Sequence, residues 1–335
     1  MAKKTILIIG CGSIGERHLR CFQSTQRCEV IACDTNERLL KSVSERYGVP
    51  PEPDFRGALV SRRPDAAVIC TPAPFHLPIA IAALDAGCHV LIEKPLSTSL
   101  KDVAALLDAA ARSGRQAAAA YVYRVYPVLR QARAFLAGDP LGAVRQIVVS
   151  GGQPFHLMRK GYQTTYYRDR AMGGGAVQDA LTHWANSVEW LAGPTDSVMC
   201  DCAHLAVPGV EVEDTVHVSA RNGGVLVSYA LNQFQMPNDH IIQLNAERGS
   251  VRVEVNRQRW GVWRQDSQDW AWEDAPVSGP DAHFTAQANA FLDQMEGKAA
   301  SLCTLQEAVH TLRFNLAALR SAETGARVLC HDLAM

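Results

Sequence analysis

The stretch "ILIIGCGSIGERH", residues 6–18, admits very few folds. An apolar run breaks into Gly10, Gly12 and Gly15 in the order G-x-G-x-x-G and continues as an amphipathic helical pattern. A strand that turns into a helix this tightly needs glycine for the turn and for close backbone approach. The helix then starts with unpaired N–H groups and partial positive charge. Those amides, around Gly12, Ser13 and Ile14, suit a pyrophosphate. The next strand, "EVIACD", ends in Asp34, about twenty residues beyond the last glycine, where a carboxylate takes ribose hydroxyls. A carboxylate there repels a 2′-phosphate, so the expected cofactor is NAD rather than NADP. Arg38, one turn further on, reads as part of a solvated helix face.

Beyond this motif, short apolar strands alternate with helical segments as far as residue 122. Strands are expected at Thr5–Ile9, Glu29–Asp34, Ala66–Cys70, His89–Glu93 and Gln116–Ala120. Helices are expected at Ile14–Ser24, Glu37–Tyr47, Pro78–Ala86 and Leu100–Ser113. The alternation predicts a parallel sheet with helices on both faces. After helices at Pro127–Ala137 and Val177–Leu191, strands follow one another: Val144–Ser150, Ser197–Ala206, Thr215–Arg221, Val225–Gln233, Ile241–Glu247, Ser250–Val255 and Arg259–Gln265. Helical segments at Asp281–Glu296 and Leu305–Thr324 come last. The fold class is therefore an N-terminal Rossmann domain, 1–122, followed by an α/β domain, 123–335, with a mostly antiparallel sheet.

Net charge is -1 over 335 residues, so no basic field is present for nucleic acid. No apolar run approaches a membrane span, and the run after "MAKK" breaks at once into glycines and charge. These features predict a cytoplasmic protein. The ten cysteines are scattered, without a C-x-x-C pair, and read as reduced, mostly buried thiols rather than a metal site.

Two further motifs carry chemistry. In "VICTPAPFHLPIAIAALDAGCHVLIEKPLSTS", one strand ends in Thr71-Pro72 and the next in Glu93-Lys94-Pro95, at the carboxyl edge where open α/β sheets bind ligands. In "GGGAVQDALTHWANSVEW", Val177, Leu181, Trp184 and Val188 form a packing stripe. Asp179 and His183 lie four residues apart, one helical turn above each other. Together with "GCGSIGERH" and "YRVYP" at 123–127, these stretches resemble the glucose–fructose oxidoreductase / inositol dehydrogenase / MocA family over nearly the whole chain. Ala73 departs from the polar residue that many relatives carry after Thr-Pro.

The resemblance implies an NAD-dependent oxidoreductase for sugars, polyols or their derivatives, with its active site between the two domains and oligomerisation through the large sheet. Lys94 matches the lysine that orients nicotinamide and substrate; Asp179 and His183 match the substrate-binding and acid–base pair. His183 suits a base because imidazole titrates near neutrality, and Lys94 remains an alternative acceptor. Cofactor contacts are expected from Gly10, Gly12, Ser13, Ile14, Gly15, Asp34, Thr71, Pro72, His76, Glu93 and Lys94. Substrate contacts are expected from Lys94, Arg124, Tyr167, Arg168, Asp179 and His183. For Arg124 a brace is an equal reading, and His76 and His156 also suit structural roles. Trp260, Trp263, Trp270 and Trp272 suit sheet packing or a subunit interface in a homodimer or homotetramer. Two other functions stay open: NAD-assisted elimination or glycoside cleavage without net oxidation, and a non-catalytic ligand sensor.

The role given to Asp34 has a direct test. NAD⁺ is expected to bind at least about tenfold more tightly than NADP⁺, a margin of about 1.4 kcal/mol. Asp34→Ser combined with Thr35→Arg is expected to reverse that order. Calorimetry with both cofactors measures it, and tighter NADP⁺ binding by the unaltered chain contradicts the assignment.

Overall fold

The computed structural model describes residues 3–138, 141–276 and 279–333. The chain divides into two compact units. One holds the described residues of 1–122 and 278–309; the other holds those of 123–277 and 310–334.

In the first unit, β1 (Lys4–Ile9), α1 (Ser13–Ser24), β2 (Cys28–Cys33), α2 (Glu37–Tyr47), β3 (Pro51–Glu52) and α3 (Phe55–Ser61) come first. They are followed by β4 (Ala66–Ile69), α4 (His76–Asp85), β5 (His89–Ile92), α5 (Val103–Ser113) and β6 (Ala117–Ala119). The six strands are parallel, in the order β3-β2-β1-β4-β5-β6. Residues 6–9 and 66–69 are buried throughout, as expected of parallel strands covered on both faces. Register places the functional ends level. Ile9 stands beside Cys33 and Ile69, and Ile69 beside Ile92, so Gly10, Asp34, Cys70 and Glu93 emerge together at the carboxyl edge.

The second unit begins with α6 (Pro127–Ala137), β7 (Val144–Gly152) and the single turn α7 (Phe155–Met158). A π-helical turn, Val177–Leu181, then leads into α8 (Thr182–Ala192). Next are β8 (Ser197–Ala203), β9 (Thr215–Asn222), β10 (Val225–Asn232), β11 (Asp239–Ala246), β12 (Gly249–Glu254), β13 (Arg259–Arg264) and β14 (Ala271–Asp274). The chain then passes through α9 (Ala282–Met295), which belongs to the first unit, and α10 (Leu305–Thr324), and β15 (Val328–Leu329) joins the edge of this sheet. The nine strands run β14-β13-β12-β11-β7-β10-β9-β8-β15, antiparallel except for β7 beside β10. Burial alternates along β9: Val216, Val218 and Ala220 enter the core, while His217, Ser219 and Arg221 face outward. The inner face packs with Leu181, Trp184, Val188 and Phe314 into one apolar core.

The sequence reading assigns 123–335 to one domain; the described residues of 278–309 group with the first unit instead. The cause is the apolar face of α9. Phe291 and Leu292 lie in the first unit's core, with Phe291 edge-on to Phe22 at 6.3 Å, and Arg20 grips Asp281 at the start of the helix. Each such buried side chain contributes about 1.5–3 kcal/mol. The tryptophans also divide. Trp260 is a core residue, whereas Trp263, Trp270 and Trp272 form a half-buried chain of ring contacts at the β13–β14 edge. All ten cysteines are free, and all but Cys202 are buried. Among the described residues, no helix is long and apolar enough to cross a membrane.

Candidate active site

At the carboxyl edge of the parallel sheet, the glycine turn is shaped by close approach. A Cβ on Gly15 would stand 1.7 Å from the Gly10 carbonyl oxygen, so α1 can meet the turn only without a side chain there. A Cβ on Gly12 would meet nothing within 4 Å. No side chain caps α1, whereas Asn36 caps α2 and Asp54 caps α3. Ser13 and Ile14 are the first two residues of α1, Ser13 exposed and Ile14 half-buried. Asp34 accepts from the Cys11 amide at 2.7 Å through one oxygen and from the Asn36 amide at 2.8 Å through the other. Each oxygen retains a second acceptor position for a hydroxyl. The Thr71 hydroxyl oxygen is buried without a protein partner. Open space at Gly12, uncapped amides on α1, a fixed carboxylate and an unsatisfied hydroxyl together fit a dinucleotide.

Sequence reasoning missed the residue that organises this edge. His18, fully buried on α1, lies 2.7 Å from Glu93 through its Nε2, and the other Glu93 oxygen accepts from the Lys94 amide at 2.9 Å. Burial alone would push the Glu93 carboxyl up. The His18 hydrogen bond and charge, with Lys94, outweigh that effect and hold it below the usual carboxylate range. Glu93 therefore fixes the backbone that carries the half-buried Lys94. The Lys94–Pro95 peptide is cis.

His76 lies buried beside the same edge. It is 1% exposed, and its two ring nitrogens lie 2.7 Å from the Thr71 carbonyl and 3.0 Å from the Pro95 carbonyl. Both nitrogens face backbone carbonyls of those loops, and a neutral ring, with its single N–H, donates to only one of them. Burial lowers its pKa. Pro72 starts the short turn Ala73–Phe75 that leads into α4.

In the second unit, Asp179 is 6% exposed within the π turn, and His183 follows in the first turn of α8. The wider π turn alters the plain four-residue helical spacing read from sequence. His183 stacks on Tyr123 with centroids 5.0 Å apart. Tyr123 in turn leans on His240 of β11, which stacks on Trp184 at 4.3 Å. His240 is buried with neither ring nitrogen partnered; burial, together with any proton that His183 takes up, pushes it down to about 3. It is thus a neutral ring beside His183.

The aromatic loop before the helix assigns its residues differently from the sequence reading. The Tyr166 hydroxyl donates to Asp179 Oδ1 at 2.8 Å. Tyr167 instead is 1% exposed among Phe155 and Tyr162, with its hydroxyl donating to Gln233. Arg168 is exposed and lies 3.5 Å from the Gln163 carbonyl. His156 is half-buried on α7. Arg124 is 2% exposed, donating to Asn186 at 2.9 Å and lying over the Trp190 ring. Asn186 donates to Thr311, whose hydroxyl donates to Glu189 at 2.6 Å. Arg124 thus joins a buried polar network, and Tyr166 rather than Tyr167 is the tyrosine bonded to Asp179.

Comparison with known proteins identifies the family. The model of the oxidoreductase family with an NAD-binding Rossmann fold, GFO_IDH_MocA, matches residues 4–121. The GFO/IDH/MocA C-terminal domain matches residues 129–252. The chain belongs to this family of NAD-binding oxidoreductases. It is 21% identical over 352 residues to the D-glucoside 3-dehydrogenase of Escherichia coli K12, covering 96% of each chain. Among solved structures, levoglucosan dehydrogenase with NADH and levoglucosan superimposes at a TM-score of 0.88 and 19% identity, covering 98% of this chain and 100% of the other. The WlbA dehydrogenase of Bordetella pertussis with NADH and UDP-GlcNAcA gives 0.83 and 26%, covering 98% and 99%.

The buried network around Arg124 has a titration signature. Burial pushes the Glu189 carboxyl up to about 7, against hydrogen bonds from Thr311 and Thr195 and the charge of Arg124. A carboxyl whose folded pKa lies above its unfolded value of 4.5 binds an extra proton on folding between those two values. Its stabilising contribution is therefore fully present below about pH 4.5, declines as pH rises through about 7, and is flat above. Glu189→Gln is expected to remove that decline, gaining about 1–3 kcal/mol on the wild type between pH 5 and pH 8. Denaturant unfolding across this range measures it, and parallel pH curves for the two proteins contradict the assignment.

Proposed function

We propose that this chain is an NAD-dependent dehydrogenase that oxidises a secondary alcohol of a sugar, a polyol or a derivative of one. The observation that carries the reading is the Tyr166–Asp179 hydrogen bond on the π turn leading to His183. An aspartate held by a tyrosine, followed by an imidazole stacked on Tyr123, is suited to binding hydroxyls and moving a proton between them. The sugar-acting relatives support the substrate class: D-glucoside 3-dehydrogenase, and the D-xylose 1-dehydrogenase (NADP⁺) of Haloferax volcanii at 24% identity over 96% of this chain.

Bound NAD⁺ supplies the hydride acceptor. It would be held by the α1 amides and Asp34, with Gly10, Gly12 and Gly15 shaping the turn. His183 takes the proton of the reacting hydroxyl. Asp179 binds a hydroxyl and is itself oriented by Tyr166. Lys94, its backbone fixed by Glu93, supplies positive charge toward the developing alkoxide. Tyr166 joins Asp179, His183 and Lys94 as a substrate contact, taking the place expected of Tyr167. Asp34 favours NAD over NADP. We also propose a homodimer or homotetramer formed through the outward face of the nine-stranded sheet. Met199 and Leu226, each 48% exposed, lie there among polar residues. A monomer mass by light scattering at micromolar concentration contradicts that assembly.

A panel of inositols, aldoses, glycosides and nucleotide sugars is expected to contain at least one compound that yields accumulating NADH. With it, His183→Ala lowers kcat by about 10²–10⁴-fold while NAD⁺ affinity stays within about twofold. Substrate consumption without NADH would favour redox-neutral elimination. Full activity in folded His183→Ala would overturn the proton-transfer role.

A further inference from the structure

A carboxylate at the start of the π turn comes from a distant part of the sequence. Glu213 is 2% exposed and lies just before β9. Its Oε1 accepts from the Val177 amide at 3.1 Å, at the first residue of the π turn, and its backbone carbonyl accepts from the Ala176 amide at 2.8 Å. Its Oε2 accepts from Arg170 at 2.9 Å. The helix start presses directly on the carboxylate. A Cβ on Gly175, whose φ is +87°, would lie 2.3 Å from Glu213 Oε1. No side chain of the helix's own N-terminus caps it. Glu213 therefore does from across the fold what a capping residue does locally: its side chain and carbonyl satisfy orphan amides.

The adjacent residue braces the same region by another route. Asp214, fully buried, accepts from the amides of Leu205, Ala206 and Val207 and from the Thr215 hydroxyl. Its carbonyl accepts from the Gln233 amide, and the Gln233 side chain accepts from Tyr167. The Tyr167 carbonyl then receives the Gly175 amide at 3.3 Å. The Glu213 carboxylate thus reaches the start of the π turn directly, and the Asp214 backbone carbonyl reaches it through Gln233 and Tyr167.

We propose that Glu213 is a positioning residue for the reaction: by clamping the amides of Ala176 and Val177 it fixes where Asp179 stands relative to Tyr166. The kinetic part of this proposal rests on the dehydrogenase reading; the structural part does not. The contact with Arg170 is secondary, since that guanidinium is 43% exposed and its ion pair is weakened by water. Reach, rather than charge, is therefore the property that matters. The isosteric amide of Glu213→Gln keeps an acceptor for Val177, whereas Glu213→Asp keeps the charge but is one methylene too short.

Hydrogen exchange followed by mass spectrometry tests the structural part in the full-length protein without any substrate. Peptides spanning 176–182 are expected to exchange about tenfold faster or more in Glu213→Asp and Glu213→Ala, and within about threefold of wild type in Glu213→Gln. With a substrate identified, kcat is expected to fall about 10–100-fold in the Asp and Ala variants and to be largely restored in Gln, with NAD⁺ affinity unchanged in all three. Val253→Ala, in the same apolar core, serves as a destabilised control and is expected to keep full kcat per folded molecule. If Glu213→Ala does not fold, the Asp and Gln variants still give the comparison. Equal exchange in Asp and Gln, or a kcat loss in Val253→Ala matching that of Glu213→Asp, overturns the proposal. Absence of turnover in the wild type would refute the dehydrogenase reading and leave the exchange result standing.

Discussion

A charged carboxylate buried at the end of a parallel strand is the constraint around which the first unit is built. Glu93 sits where water does not reach, and an ion in that position is tolerated only with its hydrogen-bonding positions filled. His18 on α1 fills one oxygen and the Lys94 amide the other. Removing His18 would strand the charge, at a cost of about 3–5 kcal/mol. The same two contacts tie the helix that begins at the glycine turn to the loop that carries Lys94. His76, packed between the Thr71 and Pro95 carbonyls, adds a second buried contact by donating to one of them. The carboxyl edge is thus cross-linked by two buried imidazoles whose work is geometric.

The second unit follows the same physical logic with different residues. Its sheet supplies an apolar face for packing, and buried polar groups on and beside α8 set direction. Arg124, Asn186, Thr311 and Glu189 form one continuous hydrogen-bonded path. Tyr166 fixes Asp179, and Tyr123 stacks on His183. Low dielectric strengthens such networks when complete and makes any missing member costly, which limits how far these side chains can wander.

Much of this was legible in the sequence where periodicity and chemistry coincide. The glycine turn, Asp34, the E-K-P strand end and the long strands all carry local signals, and α2, α6 and α10 lie where their apolar spacing puts them. The failures share a cause: the deciding contact is remote or the element is short. β3 and α3 fall within "PEPDFRGALVS", too brief for a period to emerge, although Asp54 capping the Arg56 and Gly57 amides was a usable signal. β8 ends at Ala203 rather than Ala206 because Asp214 takes the amides of residues 205–207. A π turn inserts its extra residue into the hydrogen-bond ladder without disturbing the apolar stripe. Tyr166 and Tyr167 are adjacent in a loop of short turns, and only the Phe155 and Tyr162 rings decide which of them is core. His18 stood in plain view in "GERH", but its meaning depends on a partner 75 residues away.

Deuterium tracing tests the central claim most directly. Perdeuterated sugars and polyols, mixed with NAD⁺ and stoichiometric enzyme and analysed by mass spectrometry of the cofactor, report where the carbinol hydrogen goes. The account predicts reduced cofactor carrying one deuterium, formed in step with a carbonyl on the sugar. A cofactor that stays oxidised with every compound, or a reduced one without deuterium, would contradict it.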